Sequence, residues 1–428
     1  MMPSRTPRRA HQGLLHPALA LLCGLVLGAC QAPAGNPTPN VKVKDWGKDK
    51  DAKKADKKAD KKADKKADKK ADKTADGRGD KKTAAAKPHD GGLGMPVDPL
   101  PGETHLKNIR QLSFGGENAE AYFSFDEKRL IFQSTRDGGK CDQIYAMELD
   151  QSVAEPAITR VSSGKGRTTC AYWMPDGARV LYASTHAAAD DCLPPPDRSH
   201  GYVWKLYPEF DIYTATPDGG DIKPLAAGPG YDAEATISPK GDKIVFTSTR
   251  DGDPEIYTMN IDGSDVKRLT ETRGYDGGPF FSPDGSQIIY RANHPEGEDE
   301  LKKYEAIQKD NLVFPTRLEL FVMDADGQNQ RQLTSNGKAN FGPYFHPDGK
   351  RVIFSSNVNA PRGRNFDIYI LDIPAPGAQA GEPVQVTHNE TFDGFPMFTQ
   401  DGKRLVFASN RGNAKKGDTN IFLADWVE

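Results

Sequence analysis

An eight-residue pattern that recurs six times is the feature that most constrains the fold of this chain. Each copy starts with a turn resembling Pro-Asp-Gly and continues into an apolar, β-branched run. Proline presets φ, while Asp-Gly supplies a hydrogen-bonding side chain and a positive φ, so each copy predicts a tight turn followed by a β-strand. The spacings of 50, 64, 44, 64 and 53 residues suit propeller blades. The copies are FDEKRLIF at 125, PDGARVLY at 175, PKGDKIVF at 239, PDGSQIIY at 283, PDGKRVIF at 347 and QDGKRLVF at 400.

Further strands complete each repeat. In the third repeat, EIYTM at 255 and VKRLT at 266 follow the window, and in the fourth, PFFS at 279 precedes it, so a blade has four strands, A to D. After the sixth C strand the chain ends, whereas IRQLS at 109 precedes the first A strand. We therefore predict an all-β, six-bladed β-propeller over residues 104–428, closed by its N-terminal strand, because closure removes an exposed sheet edge.

The repeats resemble the PD40 class of WD40-like β-propeller repeats, and residues 104–428 resemble the six-bladed propeller of the TolB family. The resemblance rests on FSPDG at 281–285, FHPDGKRVIFSSN at 345–357 and the long repeat at 231–263. It implies a surface that docks another envelope protein, as the TolB propeller docks the peptidoglycan-associated lipoprotein. TolB has a folded α/β domain before its propeller, where this chain has a different segment, so the contacts of that domain are not implied.

Residues 1–30 read as an export signal. Three arginines precede an apolar run from Ala18 to Ala29 that is too short to span a bilayer. The run ends in Leu-Gly-Ala before Cys30, which resembles the lipobox of bacterial lipoproteins and predicts Cys30 as a lipid-modified residue. Gln31 follows, which in that family implies the outer membrane, facing the periplasm. An ordinary signal peptide with a chance cysteine is the alternative.

The composition of residues 31–103 predicts a disordered tether. A Lys-Lys-Ala-Asp tetrad repeats from Lys53 to Asp72, with almost no large apolar side chain to offset the entropy of ordering. Residues 41–90 carry 18 Lys and one Arg against 11 Asp, a net charge of +8, and residues 91–428 carry a net charge of −14. The basic tether could contact anionic lipid or cell-wall polymer, or be a solvated spacer. No nucleic-acid partner is expected.

Two polar rings are predicted on the face that carries the B-to-C loops. They have either a structural role, as blade-stabilising pairs and Asx turns, or a functional one, as a docking face or ligand funnel at the channel. Seven residues before each turn lie Asn118, Thr168, Asp232, Asp276, Asn340 and Asp393. Four residues after each window lie Arg136, His186, Arg250, His294, Val358 and Arg411.

The same face carries two long loops, at 185–209 and 292–317. Trp204 and Tyr207 in the first are candidate contact anchors, with packing onto their own blade as the alternative. Three cysteines, Cys141, Cys170 and Cys192, fall on this face, and an oxidising compartment permits one disulfide among them.

An enzymatic role is the alternative to a binding module. The sequence has no Gly-x-Ser-x-Gly, no His-Glu-x-x-His and no phosphate-binding loop, and no metal or cofactor is expected. A carboxylate pair across the channel, Asp232 or Glu234 with Asp276, would suffice for a hydrolase or lyase acting on a glycan or peptide. We expect a lipid-anchored envelope propeller that binds rather than catalyses.

Overall fold

The repeats fold into successive antiparallel sheets arranged as a closed ring. The structure, a computed structural model, describes residues 91–428 apart from 198, 361–364, 414 and 416. Each of six sheets has its A strand innermost, and the A strand of each blade packs beside that of the next, the sixth beside the first. The predicted all-β, six-bladed propeller is confirmed.

The blades are built in chain order. Blade 1 comprises β3 (Glu117–Phe123), β4 (Arg129–Thr135), β5 (Gln143–Glu148) and β6 (Ile158–Arg160). Blade 2 comprises β7 (Thr168–Trp173), β8 (Val180–Ser184), β10 (Asp211–Ala215) and β11 (Lys223–Ala226), with β9 (Trp204–Lys205) in its long loop. Blade 3 comprises β12 (Asp232–Ile237), β13 (Lys243–Ser248), β14 (Glu255–Asn260) and β15 (Lys267–Arg268).

The remaining blades follow the same plan. Blade 4 comprises β16 (Tyr275–Phe281), β17 (Gln287–Asn293), β19 (Glu319–Asp324) and β20 (Arg331–Gln332), and its insertion holds α1 (Gly297–Gln308) and β18 (Leu312–Val313). Blade 5 comprises β21 (Asn340–Phe345), β22 (Arg351–Ser356), β23 (Asp367–Asp372) and β24 (Val384–Gln385). Blade 6 comprises β25 (Asp393–Phe398), β26 (Arg404–Ser409) and β27 (Asn420–Trp426), completed by β2 (Leu106–Gln111) and β1 (Met95–Pro96).

The N-terminal strand closes the ring, as predicted. β2 pairs antiparallel with β27, with Leu106 opposite Trp426 and Gln111 opposite Phe422. This pairing supplies blade 6 with the D strand that the C-terminal part of the repeat lacks. The outer edge of blade 6 is covered by a further short strand, since β1 pairs with β2.

The boundary placed between tether and propeller at residue 103 is wrong. Residues 91–103 pack onto the propeller: Leu93 is buried in the core, and Glu103 is buried beside Arg411. The Gly- and Pro-rich composition of this segment gave no sign of these contacts, and the partner of Glu103 lies 308 positions further along the chain. The predicted signal peptide, Cys30 and the predicted tether up to residue 90 lie outside the described residues.

The repeated window forms the A-to-B turn and the B strand of each blade. In blade 4, Ser282 donates its hydroxyl to Asp284, and the N–H of Ser286 donates to the same carboxylate, an Asx-type turn. Five of the six turns have glycine at the third position, with φ between 63° and 73°. Blade 1 has Glu127 there, at φ 57°. The last residue of each window is fully buried between blades: Phe132, Tyr182, Phe246, Tyr290, Phe354 and Phe407.

Candidate functional site

Antiparallel strand order fixes which loops share a face. The B-to-C and D-to-A connections lie on one face, which we call the loop face, and the A-to-B turns and C-to-D hairpins lie on the other, the turn face. The two predicted polar rings fall at the start of the A strands and after the B strands, hence on the loop face.

The acidic and basic members of the two rings pair within their own blades. Arg250 binds the carboxylate of Asp232 at 2.9 Å, and His294 contacts Asp276 at 2.8 Å. Burial raises the pKa of Asp276, although His294 opposes it. Burial lowers the pKa of His294, but the hydrogen bond and charge of Asp276, together with the charges of Glu255 and Asp253, outweigh this and the net shift is upward.

The pair in blade 6 extends to the N-terminal segment. Arg411 donates to Asp393 at 2.8 Å, and both of its terminal nitrogens donate to the Glu103 carboxylate, at 2.8 and 3.0 Å. All three side chains are almost fully buried. This triple ion pair therefore fastens the segment before β2 to the sixth blade.

The remaining ring members also satisfy neighbouring backbone or side-chain groups. Asn118 donates to the carbonyl of Thr419 in blade 6, and Asn340 donates to the carbonyl of Leu318. The other members have these contacts: Thr168 donates to the carbonyl of Asp142, Arg136 lies over the Tyr145 ring, His186 bonds Ser184, and Val358 is half-buried. The rings thus stabilise the blades, and their role as a binding face stays a prediction.

A bulge repeated in all six A strands surrounds the central channel. Two residues after each member of the first ring, the ladder shifts register and the backbone turns to φ between 51° and 60°. Together these six residues border one small cavity of about 20 Å³, room for about one water molecule. Four of the six are not glycine, which costs about 1 kcal/mol each. They are Glu120, Cys170, Glu234, Gly278, Gly342 and Phe395.

Charged side chains concentrate at this bulge. Arg291, from β17, forms an ion pair with Glu234 and donates to the Tyr275 hydroxyl at 2.8 Å. A Cβ atom on Gly278 would collide with the Arg291 guanidinium, so the glycine makes room for it. Burial raises the pKa of Glu120 to about 7. The hydrogen bond with Cys170 opposes this shift, and the charge of Glu234 adds to it. The channel thus holds Glu234 in an ion pair with an arginine and Glu120 with a pKa raised to about 7.

The two long loops join into a single cap over the loop face. β9 pairs antiparallel with β18, with Trp204 opposite Val313. Trp204 is half-buried and stacks over the Arg291 guanidinium, 5.2 Å from ring centroid to Cζ. Helix α1 is fastened to blade 3, because Tyr304 donates to Asp253 at 2.5 Å. The cap therefore ties blade 2 to blade 4 above the charged channel.

The aromatic residues of the first loop divide between packing and exposure. Tyr207 is buried and donates to the carbonyl of Pro194, so it packs onto its own loop. Tyr202, which the sequence reasoning did not single out, is 63% exposed and accepts a hydrogen bond from the Trp204 indole. Cys141 and Cys192 form a disulfide that ties this loop to blade 1, and Cys170 keeps its thiol in the channel.

Sequence reasoning placed Glu234 on this face but missed Glu120 and Arg291. A signal for Arg291 was available, since it is a charged residue directly after an apolar window. Within the described part of the chain, no group of three or more His, Cys, Asp or Glu side chains could hold a metal ion. Among the same residues no helix is long and apolar enough to cross a membrane.

Fold and site define a closed six-bladed β-propeller with a capped loop face and a charged channel. Residues 203–314 match the family model PD40, described as the TolB beta propeller domain. The predicted resemblance to PD40-type, TolB-like propeller repeats is confirmed by this match and by the six-bladed ring.

Several solved structures are similar to this chain. A putative TolB from Agrobacterium tumefaciens is 18% identical, with 73% of this chain and 91% of that chain covered and a TM-score of 0.43. TolB from Acinetobacter baumannii is 18% identical, with 74% and 64% covered and a TM-score of 0.46. An oligogalacturonate lyase from Vibrio parahaemolyticus is 15% identical, with 76% and 94% covered and a TM-score of 0.43.

Proposed function

We propose that this chain is a cell-envelope docking module, anchored by a lipid on Cys30 at the periplasmic side of the outer membrane. Its capped loop face would receive a partner of the peptidoglycan-associated lipoprotein type. The observation that carries the proposal is the β9–β18 pairing, which joins the two longest loops into the cap. We call this cap the platform where it acts as a docking surface. Long loops held on a rigid scaffold are where recognition is usually built.

The platform has the composition of a protein-binding surface. Tyr202 stands exposed beside the half-buried Trp204, and aromatic residues of this kind dominate the energetics of protein interfaces. The first turn of α1 adds Glu298, Asp299 and Glu300, of which Glu298 pairs with Lys302 and Glu300 with Arg317. The exposed aromatic anchor favours a partner with an apolar pocket.

Calorimetric titration of the full-length chain with the organism's own peptidoglycan-associated lipoprotein tests this proposal. Tyr202→Ala should weaken binding about tenfold or more, because it removes an exposed aromatic anchor without disturbing a blade. Tyr207→Phe is the matched control, since that ring is buried and keeps its packing. Equal affinity of both variants and the unaltered chain would remove the platform from the interface.

A second candidate is a hydrolase or lyase that acts on a glycan or peptide at the channel. The observation in its favour is the pair Glu120 and Glu234, one carboxyl group with a pKa raised to about 7 and one in an ion pair with Arg291. Two carboxyl groups in different environments are suited to general acid and base roles. The small cavity beside them would have to open to admit a substrate. The test of this candidate function is whether Glu120→Gln loses turnover.

A further inference from the structure

A cavity of about 500 Å³ opens at the propeller axis on the turn face, opposite the cap. The innermost strands of all six blades contribute to its wall, among them Tyr172, Phe280 and Tyr344. Tyr122 packs against Tyr172 and Phe280 with ring centroids 5.7 and 5.5 Å apart, which forms an aromatic floor. The cavity is therefore a site separate from the loop face and goes beyond the docking function proposed above.

One side of this cavity departs from the repeat. Where the other turns read Pro-Asp-Gly or a close variant, blade 1 reads Phe125-Asp126-Glu127, and blade 6 begins its turn with Gln400. Gln400 holds the group together: its side chain donates to the carbonyl of Phe125, and its backbone N–H donates to the carboxylate of Glu127. Phe125, Glu127 and Gln400 all line the cavity.

Glu127 occupies its position at an energetic cost. Its φ of 57° falls in the left-handed region that glycine adopts freely in the other five turns. A non-glycine residue there is less stable by about 1 kcal/mol. Strained positions of this kind concentrate at functional sites, and this one places a charge in a cavity that the equivalent glycines leave without one.

The cavity offers a bound cation one negative charge, that of Glu127, and several aromatic rings. Glu127 is the only charged residue among the described residues that line it, and it forms no ion pair there. Eight of its eighteen lining residues are Phe or Tyr, whose ring faces attract cations. Phe125 meets Tyr172 edge to face at 6.5 Å, so two aromatic walls stand close to the carboxylate.

The hydroxyl groups at the rim are already engaged. Ser124 donates to Asp126 and accepts the N–H of Arg129. Two other rim hydroxyls make the same pair of bonds: those of Ser282 and Thr399. A primary ammonium group would have to compete for these engaged serine and threonine hydroxyls, whereas a quaternary ammonium group needs no acceptor.

We propose that this cavity binds a quaternary ammonium group, with Glu127 as the counter-charge and Phe125 and Tyr172 as aromatic walls. Such a group occurs in free solutes and at the end of lipid headgroups, and the chemistry of recognition is the same for both. The proposal stands independently of the partner on the loop face.

Calorimetric titration of the full-length chain with choline tests the proposal, with the neutral isostere 3,3-dimethylbutan-1-ol as the paired probe. Choline should bind saturably and at least about tenfold more tightly than the neutral isostere. Glu127→Gln should weaken choline binding by about the same factor. Glu382→Gln, the same change of charge at an exposed position outside the cavity, should leave it unaltered.

Glu127→Gly separates a binding role from a structural one. Because glycine is the residue of the other five turns, this variant should keep or raise the Tm while it loses choline binding. A lower Tm for Glu127→Gly would show that Glu127 stabilises the turn, and would overturn the proposal. Equal binding of the two probes, or no saturable binding of choline, would also overturn it.

Sedimentation with vesicles identifies the source of the ligand. Retention on phosphatidylcholine vesicles that is lost in Glu127→Gln, with equal retention of both chains on phosphatidylglycerol vesicles, would support the proposal with a lipid headgroup as ligand. Choline binding without such retention would support it with a free solute as ligand.

Discussion

The triple ion pair at the sixth blade predicts how strongly ring closure depends on one arginine. Arg411 contacts Asp393 at 2.8 Å and Glu103 at 2.8 and 3.0 Å, and the side chains are 5%, 0% and 0% exposed. Arg411→Ala leaves two carboxylates buried without a counter-charge. Removal of one partner from a buried pair costs about 3–5 kcal/mol, so we expect a loss near the upper end of that range.

Arg250→Ala is the matched control. It breaks the corresponding pair in blade 3, where only Asp232 loses its partner and the Arg250 side chain is 27% exposed. Water that already reaches this pair can solvate the remaining carboxylate, so we expect a loss of about 2 kcal/mol. Urea unfolding, followed by tryptophan fluorescence, measures both values, and the Tm of Arg411→Ala should fall by roughly 5–10 °C.

The dependence on pH gives the reasoning a second test. Burial already raises the pKa of Asp393, and Arg411 opposes that shift. Without Arg411 the folded pKa rises further above the unfolded value, and such a group stabilises the fold at low pH and loses that contribution as pH rises through its folded pKa. The defect of Arg411→Ala should therefore be smaller at about pH 5 than at about pH 8. A defect no larger than that of Arg250→Ala, or one independent of pH, would refute the argument.

Three further outcomes are expected. The pKa of Glu120 in the folded chain is about 7, above its ordinary 4.5, so the contribution of Glu120 to stability is complete below pH 4.5 and is lost as pH rises through 7. In a series of Tm values measured against pH, Glu120→Gln should therefore show a smaller decrease of Tm over this range. Cys192→Ser should lower the free energy of unfolding by about 2–4 kcal/mol, and non-reducing peptide mapping should show Cys141 linked to Cys192 and Cys170 alkylated. Cys30→Ala should abolish incorporation of labelled palmitate.

Local chemistry explains why the sequence predicted the propeller. The turn needs φ > 0 at its third position, so glycine recurs there in five of the six A-to-B turns, and the spacing of these turns counts the blades. The closing strand followed from the repeat order alone. Glu103 could not be placed in the same way, because its partner Arg411 lies 308 positions further along the chain.

The site was predicted less completely, since pairing partners within a blade are not visible in a sequence. Asp232 and Arg250 lie on the predicted face, but their mutual ion pair follows from the register of β12 with β13. The bulges that turn Glu120 and Glu234 toward the channel are shifts of one residue in the register of β3 with β4 and of β12 with β13. No particular residue type predicts such a shift from the sequence.

A repeat protein offers its own test for function, because residues that recur in every blade can be explained by the blade. The polar residue at the start of each A strand belongs to that group, and the turn glycine is present in five of the six blades. Residues that break the repeat at an energetic cost need a different reason: Glu120 and Glu234 hold a backbone conformation for which two other blades use glycine, and Glu127 does so where all five use it. Each of the three brings a carboxylate to a cavity at the propeller axis. The axis, approached from either face, is therefore where binding chemistry should be sought first.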